Sequence, residues 1–216
     1  MKKKFKKLTI GAGIAAVAVG SLLSFNLLFS KTAYTVTRVI DGDTFETAEK
    51  QRIRIDGIQA PETGLCGADE ATKELTKLIL NKKVFIKVRY LDAYRRMISE
   101  VYDRDGKLVA EQLVKTGAVI VRQKGDSNDE LLAAGASARE KGMGLYGKRC
   151  TQDVNSKNPT CTIKGNIHQG NYEKLYHRTD CKNYKLTQVQ LYLGDQWFCT
   201  EAEARKAGFV KAGDCE

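Results

Sequence analysis

The sequence is nearly empty of histidine. Of its 216 residues only His168 and His177 are histidines, and both lie in the last quarter. The preceding part therefore has no histidine general base and no serine–histidine triad. Acid–base chemistry there must use a carboxylate, a tyrosine or a lysine. Charge is missing from one long stretch as well, because Leu8–Ser30 runs for 23 residues without an Asp, Glu, Lys or Arg. Its apolar residues leave no polar face, which excludes an amphipathic core helix.

What precedes that stretch is the opposite in character. Lys2, Lys3, Lys4, Lys6 and Lys7 supply half of the net charge of +10. A basic start followed by an uncharged run is a targeting segment, here longer than a usual signal core and long enough to span a bilayer. Its basic side stays in the cytoplasm, so the rest of the chain is expected to be exported. Lys31-Thr32-Ala33 is a poor small-residue cleavage site. The expectation is membrane anchoring through residues 8–30, with cleavage and secretion left open. The milder excess of positive charge in the remainder suits a polyanionic partner and is also common on plain soluble proteins.

The informative stretch is Val39–Thr63, V-I-D-G-D-T-F-E-T-A-E-K-Q-R-I-R-I-D-G-I-Q-A-P-E-T. Asp41 and Asp43 flank a glycine where one strand ends. Arg52–Ile58 alternates like a half-buried strand, and Pro61 stops further ladder pairing just before Glu62. Acids gathered at neighbouring strand ends repel one another unless a cation sits among them, and a hard divalent ion is the usual answer. Arg54 beside such an ion suits a phosphate, because its planar fork matches two phosphate oxygens. A second arginine, Arg96, follows in D-A-Y-R-R (Asp92–Arg96). D-G-D and A-P-E taken singly are ordinary turn and strand-exit chemistry.

Together these segments resemble the thermonuclease (staphylococcal nuclease-like) family. The resemblance rests on I-D-G-D-T (Ile40–Thr44), R-I-D-G-I-Q-A-P-E (Arg54–Glu62) and D-A-Y-R-R-M (Asp92–Met97). It continues through L-V-A-E-Q-L-V-K-T-G-A (Leu108–Ala118) and A-R-E-K-G-M-G-L-Y-G (Ala138–Gly147), and several motifs in order are more specific than any one. The resemblance implies a mainly β, α+β fold: a five-stranded OB-fold barrel with three helices. It implies an enzyme, a thermonuclease-like endonuclease, that hydrolyses phosphodiester bonds of DNA and/or RNA with Ca²⁺ and takes nucleic acid as its partner. By the same resemblance, Asp43 matches the Ca²⁺-binding carboxylate and Glu62 the acid that positions or deprotonates the attacking water. Arg54 and Arg96 match the pair that holds the phosphate, Ala60 offers a main-chain carbonyl to the metal, and Tyr94 stands beside the nucleotide. Asp41 and Thr44 are expected to support the metal ligands from behind.

One position departs from the pattern. Gln59 stands where the type member has a second metal-binding carboxylate, and its amide oxygen brings no charge. Ca²⁺ affinity should fall accordingly. Asp41 and Asp56 are nearby acids, and Asp56 shares Arg54's face of the strand by alternation, where it can pair with a charge.

Other elements follow from periodicity and turn residues. Tyr34–Ile40, Thr44–Ala48 and Val84–Val88 read as strands, and Met97–Tyr102 as a hairpin arm turning at D-R-D-G (Asp103–Gly106). Gly67–Leu80 reads as a helix, Leu108–Lys115 as a shorter one ended by Gly117, and the capping box Ser127–Glu130 opens a third that runs to about Lys141. The expected organisation is a targeting segment over 1–33, the barrel domain over 34–149, a polar linker over 150–160 and a small α+β module over 161–216, the whole acting as a monomer. The module resembles one attached to some bacterial thermonuclease-like proteins, through K-G-N, Y-H, W-F-C-T-E-A-E-A and A-G-F. Its role is not implied.

All six cysteines lie in the part expected to be exported, an oxidising setting. Cys66 and Cys150 flank the barrel domain's helices and are expected to bridge. Cys161, Cys181, Cys199 and Cys215 either form two disulfides or, with His177, offer a Cys₃His zinc set. Two functions stay open: an exported Ca²⁺-dependent nuclease, and a non-catalytic nucleic-acid- or surface-binding OB module with a degenerate metal site.

Overall fold

The computed structural model describes residues 32–122 and 129–215. The targeting segment's Leu8–Ser30 and the capping residues Ser127 and Asn128 lie outside the described residues. No helix among the described residues is long and apolar enough to cross a membrane.

A closed barrel forms the first half. Its strands are β1 (Ala33–Val39), β2 (Thr44–Thr47), β3 (Arg52–Ile55), β5 (Lys83–Leu91) and β6 (Met97–Tyr102), arranged β1-β2-β3-β6-β5 and closed by β5 pairing back onto β1. β3 and β6 run parallel, and the other neighbours run antiparallel. Between β3 and β5 come β4 (Ile58–Gln59) and the helix α1 (Ala68–Ile79). After β6 come α2 (Val109–Lys115), β7 (Ile120–Val121), paired with β4, and α3 (Asp129–Glu140). The barrel fills with Val36, Phe45, Ile53, Ile55, Val84 and Val101 and is plugged by Leu75 and Ile79 of α1 and Leu113 and Val114 of α2. This is the five-stranded barrel with three helices expected from the sequence.

α1 forms because Ala71, Leu75 and Ile79 repeat every fourth residue on one buried face, with Asp69 and Glu70 in the first turn and Lys77 in the last. Gly67 starts it in the left-handed conformation at φ +88°, where a Cβ would lie 2.2 Å from Leu145.

Two strand expectations change. Arg52–Ile58 is not one strand: Gly57, at φ +76°, turns the chain after Ile55 and sends Ile58–Gln59 to a different partner, β7. Alternation is lost because Ile53, Arg54 and Ile55 are all buried. The hairpin arm Met97–Tyr102 pairs backward with β5 through a turn at Asp92–Arg96, where Arg95 takes φ +61°. D-R-D-G instead leads to a single bridge, Tyr102 to Leu108, before α2 begins. Both loops carry turn chemistry, and the apolar pattern alone does not say which side supplies the partner.

The C-terminal part is a four-stranded sheet ordered β12-β9-β10-β13, with β9 (Ile163–Ile167), β10 (Lys174–His177), β12 (Gln196–Phe198) and β13 (Val210–Lys211). The helix α4 (Glu201–Lys206) covers it, opened by a capping box of Thr200 and Glu203. Ile163, Tyr176, Phe198, Ala204 and Phe209 form its core. The K-G-N motif is explained by packing. Lys164 is buried and its Nζ donates to the carbonyls of Tyr184 (3.0 Å) and Thr187 (2.6 Å). A Cβ on Gly165 would lie 2.5 Å from the Phe198 ring, and Asn166 Nδ2 donates to Asp195 Oδ2 at 2.8 Å.

The polar stretch expected as a linker carries structure. β8 (Thr151–Gln152) pairs with β11 (Val189–Gln190), and Trp197 Nε1 donates to Gln152 Oε1 at 2.8 Å. Asn155 is buried and its Oδ1 accepts from the amides of Lys157 and Asn158. Leu145, Cys150 and Tyr192 pack together, with the Tyr146 and Tyr192 rings edge-to-face at 6.2 Å. Periodicity is absent there because side-chain hydrogen bonds, not an apolar face, order the stretch.

The cysteines pair as Cys66–Cys150, Cys161–Cys199 and Cys181–Cys215. The Cys₃His zinc set is thereby corrected: Cys199 is bonded to Cys161, so it cannot join His177, Cys181 and Cys215.

Candidate active site

The D-G-D loop is set by contact at its middle residue. A Cβ on Gly42 would lie 2.5 Å from Cβ of Ala71 and 2.8 Å from Cβ of Ala60, so only glycine lets the loop press against α1 and the A-P-E segment. Asp41 Oδ1 accepts from the Asp43 amide at 3.0 Å and so shapes the turn. Asp43 is buried and well partnered: Oδ2 accepts from the Ala60 amide at 2.9 Å and from Arg54 Nη2 at 3.2 Å, and Oδ1 accepts from Thr44 Oγ1 at 2.9 Å. Burial pushes the Asp43 carboxyl above the usual carboxylate range, and Arg54 and the Ala60 amide pull it back only in part.

Arg54 lies on β3 beside Thr44 of β2 and Ile98 of β6. Its Nη1 also donates to its neighbour's carbonyl, that of Ile55, at 3.3 Å. Arg96 is aimed by Asp92, whose Oδ2 accepts from Arg96 Nε and Nη2, each at 2.8 Å. The same carboxylate's Oδ1 accepts from the amides of Tyr94 and Arg96 at 2.9 Å. The Arg96 guanidinium stands 5.4 Å from the centre of the Tyr94 ring. Glu62 is exposed, just beyond Pro61, and its carboxylate bonds to no other described residue.

A cleft of about 390 Å³ gathers these groups: Asp41, Asp43, Arg54, Gln59, Ala60, Glu62, Tyr94 and Arg96 all line it. Thr44 supports it from behind Asp43. Asp56 is outside it and pairs with no cation among the described residues; its Oδ1 accepts the Gly57 amide at 2.9 Å and completes the turn. Two lining residues were not legible in the sequence. Arg122 follows β7 and arrives through the β4–β7 pairing, and Tyr172 comes from the hairpin between β9 and β10, far along the chain. Asp92 was visible within D-A-Y-R-R, but its grip on Arg96 was not.

The cleft thus offers two oriented guanidinium groups, a buried carboxylate and an unengaged one, a set suited to a phosphodiester and a water. The model for the staphylococcal nuclease homologue family matches residues 52–148. An uncharacterized endonuclease of Escherichia coli O157:H7 is 30% identical over 128 residues, covering 58% of this chain and 84% of that protein. The staphylococcal-like nuclease CAN1 of Arabidopsis thaliana is 34% identical over 99 residues, 46% of this chain and 30% of that protein. The chain belongs to the family of staphylococcal nuclease homologues and is a phosphodiester hydrolase.

Proposed function

We propose that the chain is a Ca²⁺-dependent nuclease that acts outside the cytoplasm as a monomer, with its cleavage chemistry at Glu62, Arg54 and Arg96. The observation that carries this reading is the meeting of Asp43, Arg54, Glu62 and Arg96 in one cleft. The donors available to an ion are all oxygens: the Asp43 carboxylate, the Gln59 amide and the Ala60 carbonyl, with Asp41 alongside. Such a set fits a hard cation. Asp43 Oδ1 accepts one protein hydrogen bond and keeps a lone pair for a ligand. When bound, Ca²⁺ would supply positive charge beside the scissile phosphate.

Arg54 and Arg96 bind the non-bridging phosphate oxygens and meet the charge that builds on them during attack. Asp92 keeps Arg96 in place for this, and Asp43 does the same for Arg54. Glu62, whose carboxylate has no partner among the described residues, orients the water and takes its proton. Tyr94, exposed beside the Arg96 guanidinium, offers its ring to the adjoining nucleotide. Export is supported by three disulfides, which persist in oxidising compartments, and by the uncharged Leu8–Ser30 behind its lysines, which would act as an anchor or a signal.

The test is digestion of plasmid and single-stranded DNA by the full chain with added Ca²⁺ and then with chelator. Cleavage that requires Ca²⁺ and stops with the chelator is expected. Cleavage indifferent to the chelator would overturn the metal assignment. Binding without any cleavage would favour the binding module that the neutral Gln59 allows for.

A further inference from the structure

The cleft does not end at Arg96. A second, larger cleft of about 970 Å³ adjoins it and shares three residues with it: Gln59, Arg122 and Tyr172. Its floor is β7 and α3, and its far wall is the hairpin tip that joins β9 to β10. We propose that this second cleft is a subsite for single-stranded nucleic acid, built jointly by the barrel domain and the C-terminal module, with Tyr172 as its stacking platform. The inference rests on the nuclease reading above and extends it.

Three observations carry it. Charge comes first: Arg122 and Arg139 line the second cleft and, among the described residues, no Asp or Glu does, which suits a phosphate backbone leaving the cleavage site. Arg139 is itself held against the Tyr146 ring at 4.9 Å. The second is the aromatic. Tyr172 is 76% exposed at a place common to both clefts, although a free surface tyrosine buries nothing. A large exposed ring beside an arginine is what unpaired bases stack on, and a duplex keeps its base faces hidden.

The third observation is that the backbone carrying the ring is held in place. Tyr172 takes φ +57°, a conformation a bulky residue rarely adopts, and its amide donates to the His168 carbonyl at 2.8 Å. The His168 amide donates to the Glu173 carbonyl at 2.8 Å, closing the tip. The module beneath is fixed to the barrel domain by the β8–β11 pair and by Cys150 packed on Tyr192. A loosely tethered module would not present one residue to another domain's cleft in this way.

The test measures binding by the full chain with chelator present, so that nothing is cut. The probes are a labelled 20-nucleotide single strand and a 20-base-pair duplex. Stacking of a single base on a protein ring accounts for about a tenfold effect or more. Tyr172→Ala is therefore expected to weaken single-strand binding about tenfold, to change duplex binding less than threefold, and to be rescued by Tyr172→Phe. Equal binding by the wild type and Tyr172→Ala would overturn the subsite while leaving the nuclease reading intact. Equal loss on both probes would overturn the single-strand assignment. A wild-type chain that neither binds the strand nor cuts DNA when Ca²⁺ is restored would overturn the nuclease reading itself, and this inference with it.

Discussion

Asp43 Oδ2 lies 3.2 Å from Arg54 Nη2, and both side chains are about nine-tenths buried. A buried pair of this kind contributes little net stability, because desolvation offsets its attraction, but removing one partner leaves a stranded charge. The pair therefore reads as a device for orientation: each group holds the other at the mouth of the cleft.

Arg54→Lys and Arg96→Lys keep the charge and lose the planar fork. Each should lower kcat/KM on single-stranded DNA by about 10²–10³-fold, the size expected when a preorganised donor to developing charge is lost. Steady-state kinetics of the two variants provide the check. If both retain wild-type rates, the phosphate is held by other groups, with Arg122, which lines the same cleft, a candidate.

Gln59 presents a neutral oxygen where a charged one would bind Ca²⁺ better. Gln59→Asp should lower the Ca²⁺ concentration needed for half-maximal cleavage by about tenfold, equivalent to about 1.4 kcal/mol. A Ca²⁺ titration of activity for both proteins decides it. An unchanged requirement would mean that residue 59 does not face the ion.

Cys66 and Cys150 are bridged across a separation of 84 residues, tying the approach to α1 to the chain beyond α3. Constraining so long a loop in the unfolded chain stabilises the fold, so Cys66→Ser with Cys150→Ser should cost about 2–5 kcal/mol. Urea unfolding of the double variant measures this. A loss below about 1 kcal/mol would show that the disulfide is not what holds the closing segment.

His177 is expected to make the C-terminal module acid-sensitive. Burial lowers its pKa from the ordinary value of about 6.5; Asp214 opposes the shift but lies 3.5 Å away, and Lys164 adds to it. Between the lowered folded value and 6.5 the unfolded chain binds more protons than the folded one. The contribution to stability is therefore complete above about pH 6.5 and is lost as pH falls through the folded value. Thermal unfolding between pH 7.5 and pH 5 should show this drop, and His177→Gln should flatten it. An equal slope in the variant would assign the acid sensitivity to other groups.

The barrel was legible because its signals are local. Alternating strands, the Ala71-Leu75-Ile79 stripe and the D-G-D turn each announce themselves within a few residues. The cleft was legible through Asp43, Arg54, Glu62 and Arg96 because motifs deliver them to strand ends. What escaped was long-range. Gly57 divides an apparently continuous strand by its left-handed turn, and nothing local reveals that Ile58–Gln59 pairs with β7. Tyr172 reaches the cleft only because β8 and β11 dock the module, a contact between residues 37 or more positions apart that leaves no periodic trace. Asn155 and Lys164 gave no signal either, since buried polar groups satisfied by backbone partners look, in sequence, like surface residues.

The central claim is that Glu62 acts on the attacking water. Glu62→Gln keeps the shape of the side chain at an exposed strand exit and removes its basicity. Cleavage of single-stranded DNA at saturating Ca²⁺, measured beside DNA affinity and melting temperature, tests this most directly. The account predicts a fall of about 10²–10⁴-fold in kcat with the melting temperature within a few degrees of wild type. A variant that cuts at close to the wild-type rate would contradict it.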